Sequence, residues 1–277
     1  MRWLVVRGGA LGDFLLTLPA LERARAQASE LTLAATPRYA SLRPDLYDRL
    51  IDLRGPEALW IFGAGQPPAL PDVALVYTPG VAETLRALGV PRVLCAAPRP
   101  PSGTHAVDHL LAPLDDLPGS VIPRIPAGTW TAPLPGPRPV VLAPGAAGAD
   151  KIWGGFPAVA ALLARVGCPY VWVPGRDEPW APQPGQTLGG LDLPALAALA
   201  GVAGAWLGND TGTTHLAAAA GAPVLAMFGP TDPRCWAPRP GEVLPFSSPP
   251  ESVAARLVNT RDKTVAREPV HTLAPIS

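Results

Sequence analysis

The chain has 277 residues, enough to bury one large core or two of ordinary size without a metal or disulfide staple. Lys plus Arg (22) equals Asp plus Glu (22) and charged residues are only 16%, so no net field exists to hold a polyanion, and nucleic acid is not an expected partner. Glycine (28) and proline (38) are abundant, yet 48% hydrophobic residues and a mean hydropathy of +0.21 decide against disorder.

In chain order, short apolar runs at 3–7, 31–35, 50–53, 73–77 and 93–96 read as strands, and longer amphipathic segments at 14–27 and 81–88 read as helices. A Pro/Arg-rich turn follows the second strand, and a further amphipathic segment runs over 105–114. Such alternation predicts an α/β fold with a parallel sheet wound with helices. Six prolines then fall within 123–139 with no period of 2 or 3.6, which reads as a semi-rigid extended linker. Beyond it the alternation restarts, with strands at 140–143, 170–173, 205–207 and 224–228 and helices at 157–166, 193–201 and 213–220. A last helix is expected at 250–259, with Ser247 and Ser248 as N-cap candidates, before a tail expected to be poorly ordered beyond about Arg261. The division is therefore 1–122, a linker at 123–139, and 140–277.

Cys95, Cys168 and Cys235 are odd in number and widely spaced, which suggests neither a disulfide framework nor a zinc site and fits a reducing cytoplasm. Arg7 and Asp13 interrupt any apolar leader, and the longest uncharged apolar stretch, 195–207, falls short of the roughly 18 residues a bilayer span needs. No signal peptide and no membrane span are expected.

The first strand runs into Arg7-Gly8-Gly9-Ala10-Leu11-Gly12-Asp13. Glycines at a strand-to-helix turn let backbone approach a ligand, and free N–H groups at the helix start favour an anion or a polar oxygen. Gly8, Gly9 and Gly12 do not make G-x-G-x-x-G, and Ala34-Ala35-Thr36 stands where an acid would hold a ribose, so nicotinamide binding is disfavoured. Asp13 is either a helix-terminus acid or a general base at the sheet's carboxyl edge. Pro19 either kinks this helix or lies in the first turn of one capped by Thr17.

After the strand at 140–143 comes Pro144-Gly145-Ala146-Ala147-Gly148-Ala149-Asp150-Lys151. A phosphate-binding P-loop fails, because Asp150 and Ile152 flank Lys151 where Gly and Ser or Thr belong. Lys151 still stands out in a chain whose only other lysine is Lys263; a compact ammonium suits a phosphate, and a solvated surface lysine is the bland alternative. The most informative run is Gly208-Asn209-Asp210-Thr211-Gly212-Thr213-Thr214-His215, a strand end opening into a helix. Hydroxyls, free N–H groups and an imidazole converge there as a diphosphate cradle, against the bland reading of a capped helix with His215 in the core. Thr231 and Asp232, in the turn after the strand at 224–228, are weaker ligand-contact candidates. Asp115-Asp116 reads as a solvated helix end, and His105, His109 and His271 form no metal-ligand constellation, so no metal site is expected.

Three blocks, MRWLVVRGGALGDFLLTLPALERAR, APGAAGADKIWGGFPAVAALLAR and TLGGLDLPALAALAGVAGAWLGNDTGTTHLAAAAGAPVLAMFGPTDPRCW, together with HAVDHLLAPL from His105, resemble glycosyltransferase family 9, the heptosyltransferases of lipopolysaccharide core synthesis. The resemblance implies a GT-B fold, two Rossmann-like domains facing across a cleft, with the acceptor on the N-terminal side and an ADP-heptose donor on the C-terminal side. It implies an inverting, metal-independent transfer with no cofactor beyond the donor. Carried over by position, Asp13 would be the base, with Gly8, Gly9 and Gly12 as the acceptor-side loop. Lys151 would neutralise the diphosphate, helped by Thr211, Gly212, Thr213, Thr214 and His215. Asp210 would hold the donor near its sugar or phosphate, and Asp177 or Glu178 would reach the ribose. The chain is shorter than usual members and poor in Lys and Arg for a multiply anionic lipid acceptor, so the acceptor is expected to be a cell-surface glycan or glycolipid, handled in the cytoplasm with at most peripheral membrane contact. A non-catalytic nucleotide-sugar binder is the alternative.

Overall fold

The structure is a computed structural model and describes residues 1–175 and 183–266. Strands β1 (Arg2–Arg7), β2 (Glu30–Ala35), β3 (Arg49–Asp52), β4 (Val73–Val76) and β5 (Arg92–Cys95) form a parallel sheet in the order β3-β2-β1-β4-β5. A second parallel sheet has the order β11-β10-β9-β6-β7-β8, built from β6 (Val140–Ala143), β7 (Tyr170–Trp172), β8 (Gln186–Thr187), β9 (Ala205–Asn209), β10 (Val224–Phe228) and β11 (Glu242–Pro245). The central strands β4, β6, β9 and β10 are buried at every position, which is why their sequences are continuous apolar runs rather than alternations.

The helices are α1 (Leu11–Gln27), α2 (Pro37–Ala40), α3 (Pro79–Ala87), α4 (Ala106–Leu111), α5 (Phe156–Arg165), α6 (Leu193–Val202), α7 (Gly212–Ala219), α8 (Pro233–Trp236) and α9 (Pro250–Ala266). Among the described residues, no helix is long and apolar enough to cross a membrane. In each sheet the strand order reverses once, between β1 and β4 and between β6 and β9. Ligands of open α/β sheets settle outside the carboxyl ends of the strands at these reversals.

α1 is buried on every face from Phe14 to Leu21, because one side covers the first sheet and another packs on α7. A single apolar cluster runs from Val5 and Leu33 through Leu15 and Leu18 to Leu216 and Trp206, so the two halves share a core. Pro19 lies inside a continuous α1, and Thr17 is no cap; its hydroxyl donates to the Asp13 carbonyl at 2.8 Å. At the rim, Arg239 grips Asp108 with two bonds of 2.7 and 2.8 Å, and His105 Nε2 donates to the Ala237 carbonyl at 2.9 Å. His105 Nδ1 meanwhile accepts from the Val107 N–H and caps α4.

Four short elements, α2, α8, β8 and β11, have no counterpart among the sequence expectations. They are two to four residues long, too short for a period to show. Ser247 and Ser248 do not cap the last helix, which starts at Pro250; Ser248 N–H closes a turn onto Pro245 instead. That helix also outruns its expected end, continuing to Ala266. Arg261 explains the extension, donating to the carbonyls of Arg138 at 2.9 Å and Pro137 at 3.0 Å and so tying the helix to the proline-rich segment. Residues 267–277 lie outside the described residues.

Candidate functional site

The loop leaving β1 carries Gly8 and Gly9 to the start of α1. Gly9 has φ of +101°, and a Cβ there would fall 2.6 Å from Asp13 Oδ2, so only glycine lets the carboxylate fold back over the loop. Asp13 Oδ2 accepts the Ala10 N–H at 2.9 Å, and Oδ1 lies 3.3 Å from Arg7 Nη2. Arg7 also donates to the Asp13 carbonyl at 3.1 Å and sits 5.2 Å from the Tyr77 ring centroid. Burial lowers the Arg7 pKa, with Asp13 opposing, while burial pushes the Tyr77 phenol far up. The Asp13 side chain stays 34% exposed beside an Arg7 side chain at 5%. Asp13 thus sits at the helix start, oriented by two donors and still open to solvent.

In the second half, fully buried Asn209 fastens the loop after β6: Oδ1 accepts from Trp153 N–H at 3.1 Å and Nδ2 donates to the Pro144 carbonyl at 2.7 Å. This brings Lys151 to Asp210, Nζ to Oδ2 at 3.0 Å. Thr231 donates to the same Oδ2 at 2.8 Å, and His215 Nε2 stands 3.8 Å from Oδ1. Burial alone would raise the Asp210 pKa, but its interactions with His215, Thr231 and Lys151 outweigh it and hold the carboxyl below its ordinary value.

The two helix starts meet. A Cβ on Gly212 would lie 2.8 Å from Leu11 Cβ and 3.0 Å from the Gly12 nitrogen, and one on Gly12 would lie 3.6 Å from His215 Cδ2. Glycine at both places lets the N-termini of α1 and α7 approach, and with them their partial positive charges. Beside this junction is a cavity of about 500 Å³. Ala10 to Gly12, Arg38 and Tyr39 line one side, Thr211 to Thr213 another, and Val173, Leu188 and Leu191 give an apolar wall. Its size and mixed lining suit a small-molecule ligand with an anionic group and a flat apolar one.

Thr211, Gly212, Thr213 and Gly12 therefore line the cavity, and Lys151, Asp210 and His215 form one network. Thr214 is turned inward; it is 1% exposed and donates to the Asn209 carbonyl at 2.7 Å, so it braces the loop rather than facing a ligand. Helix α7 begins at Gly212, with Thr211 as its cap. Asp232 caps α8 and pairs with Arg234. Asp177 and Glu178 lie outside the described residues. Among the described residues, no group of three or more His, Cys, Asp or Glu is placed to hold a metal ion. Arg7, Asn209 and Arg38 were not among the sequence candidates. The signal is position: Arg7 and Asn209 end strands that flank a reversal, and Arg38 lies just past the carboxyl end of β2, the neighbour of β1.

Residues 129–262 match the family model for glycosyltransferase family 9 (heptosyltransferase). Comparison with curated proteins finds no match. Among solved structures, a family 9 glycosyl transferase from Veillonella parvula DSM 2008 superposes with a TM-score of 0.76 at 17% identity, covering 95% of this chain and 97% of that one. E. coli heptosyltransferase WaaC with ADP gives 0.67 at 17% identity, covering 94% and 100%. The same enzyme with ADP-2-deoxy-2-fluoro heptose gives 0.66 at 18% identity, covering 95% and 99%. E. coli ADP-heptose lps heptosyltransferase II gives 0.69 at 19% identity, covering 95% and 99%. The chain thus has the GT-B fold over nearly its whole length, and its second half matches the family model of glycosyltransferase family 9 (heptosyltransferase).

Proposed function

We propose that the protein transfers a sugar, heptose being favoured, from an ADP-sugar donor to a hydroxyl of a cell-surface glycan or lipopolysaccharide-type acceptor, with inversion and without a metal. The observation that carries this reading is the junction of α1 and α7, which sets Asp13 and the Lys151–Asp210 pair at the ends of two abutting helices. The family match lies over the donor half, and WaaC, a protein of the same fold, holds ADP and an ADP-heptose analogue in its solved structures.

In this mechanism the Asp13 carboxylate takes the proton of the acceptor hydroxyl while that oxygen attacks the anomeric carbon. The bond from that carbon to the diphosphate oxygen breaks on the opposite face, and ADP leaves with the electron pair. Lys151 and the N–H groups at Thr211 to Thr213 meet the developing charge, the electrostatic task a metal performs elsewhere. His215 and Asp210 position Lys151, and Asp177 or Glu178 takes the ribose. The reading puts this work in the cytoplasm, at most at the inner face of the membrane, in keeping with three widely spaced cysteines.

Titration calorimetry with ADP, UDP, GDP and NAD, with chelator and again with magnesium, tests the donor. Selective, chelator-insensitive ADP binding followed by ADP release in the presence of ADP-heptose and an acceptor glycan is the expected result. Preference for UDP or GDP discards heptose, and binding without any turnover across an acceptor panel favours a non-catalytic binder.

A further inference from the structure

We propose that Arg38, contributed by the acceptor-side half of the molecule, is a donor-binding residue whose guanidinium takes the diphosphate of the nucleotide across the cleft. The inference rests on the ADP-sugar reading above. Among the described residues lining the 500 Å³ cavity, Arg38 is the one charged side chain. It is exposed, and its guanidinium makes no ion pair or hydrogen bond to any described residue. Three arginines near it in the same half are engaged: Arg7 with Asp13, Arg25 with Asp48, Arg43 with Glu22 and Asp45.

Two further observations point the same way. Lys151 is already neutralised by Asp210, whose side chain is only 11% exposed and also holds Thr231, so an incoming diphosphate must share that ammonium. The α1 and α7 N-termini also converge beside the cavity, and their free N–H groups at Thr211 to Thr213 favour an anion there. Arg38 supplies the missing full charge, and the fork of a guanidinium fits phosphate oxygens. Its place is fixed rather than incidental. Pro37 starts α2 directly after β2, and the Tyr39 ring lies 6.3 Å from Phe14 of α1, which anchors the short helix beside the loop that carries Asp13. Because Arg38 and Thr211 to Thr213 belong to different halves, a bound donor bridges them.

The test is calorimetry of the full chain and of the variants Arg38→Gln and Arg38→Lys with ADP and with adenosine at one salt concentration. The fold is not at risk, since the side chain is exposed and unpartnered. We expect Arg38→Gln to raise the ADP dissociation constant about tenfold, Arg38→Lys to raise it by less because an ammonium keeps the charge but not the fork, and adenosine affinity to be equal in all three. An unchanged ADP constant in Arg38→Gln overturns the inference. So does an equal loss for ADP and adenosine, which would put Arg38 on the base rather than the diphosphate. Failure of the parent to bind ADP refutes instead the donor reading beneath it.

Discussion

At the scale of single residues, the two acids of the site do different work and should fail differently. Asp13 is held by Ala10 and Arg7 with one side open, so Asp13→Asn, whose amide has a single accepting oxygen, can keep only one of the two bonds and removes the proton acceptor. We expect turnover to fall by about 10² to 10⁴ with ADP affinity unchanged, measured by steady-state kinetics alongside calorimetry. Asp210 is a buried carboxylate that accepts hydrogen bonds from Lys151 and Thr231, and Thr231→Val removes one of them. Leaving a buried charge one bond short costs about 1–3 kcal/mol, and Lys151 shifts with it. The donor KM should rise in Thr231→Val and return in Thr231→Ser; equal KM in all three makes the hydroxyl a bystander. The depressed Asp210 pKa stabilises the fold above the ordinary carboxylate value of 3.8, and that contribution is lost as pH falls below it, since the unfolded chain protonates first. Asp13, Lys151 and Asp210 were legible as candidates because each stands in a motif at a strand end. Their partners were not, because Thr231 lies 21 residues from Asp210 and Lys151 lies 59 from it.

At the scale of elements, the helix junction and the rim latch are the parts that positioning depends on. Gly212→Ala drives a methyl to within 2.8 Å of Leu11 Cβ and 3.0 Å of backbone at Gly12, so α1 and α7 must separate. Overpacking of this kind costs about 1–3 kcal/mol, and both melting temperature and transfer rate should drop. A variant that melts and turns over like the parent shows that close approach to be dispensable. The latch is sensitive to pH through His105. Burial is the main reason its pKa lies below 6.5, with Arg239 and His215 adding to the fall and the Ala237 bond and Asp108 opposing it. A proton on Nδ1 would break the cap to Val107. Because the folded pKa is depressed, this stability is complete above 6.5 and declines as pH falls below it. The parent's melting temperature should therefore drop more steeply between about pH 7 and 5.5 than that of His105→Asn, which can still cap α4. Parallel curves dismiss His105 as the source. Long elements were readable from period and burial, whereas α2, which places Arg38, showed only as a proline-marked turn.

At the scale of the whole molecule, magnitudes decide what joins the halves. The Arg239–Asp108 pair is conspicuous, but its side chains are 30% and 50% exposed, and exposed pairs contribute about 0–1 kcal/mol. Leu216 is fully buried in the cluster that runs from one sheet to the other, and Leu→Ala in such a core costs about 2–5 kcal/mol. Chemical denaturation should show Arg239→Ala near the parent and Leu216→Ala far below it; the reverse order would make the rim, not the core, the joint. The sequence by itself determined the alternation of strand and helix, the proline-rich break between two αβ halves, and the motifs at β1, β6 and β9, because periodicity, turn chemistry and helix starts are local properties of the chain. Only the tertiary structure decided that Gly12 meets Gly212, that Thr214 turns inward, that Lys151 is already paired, and that an arginine from one half reaches the cavity of the other. Each of these depends on which surfaces come together, and that is settled by burying apolar faces that lie far apart in sequence.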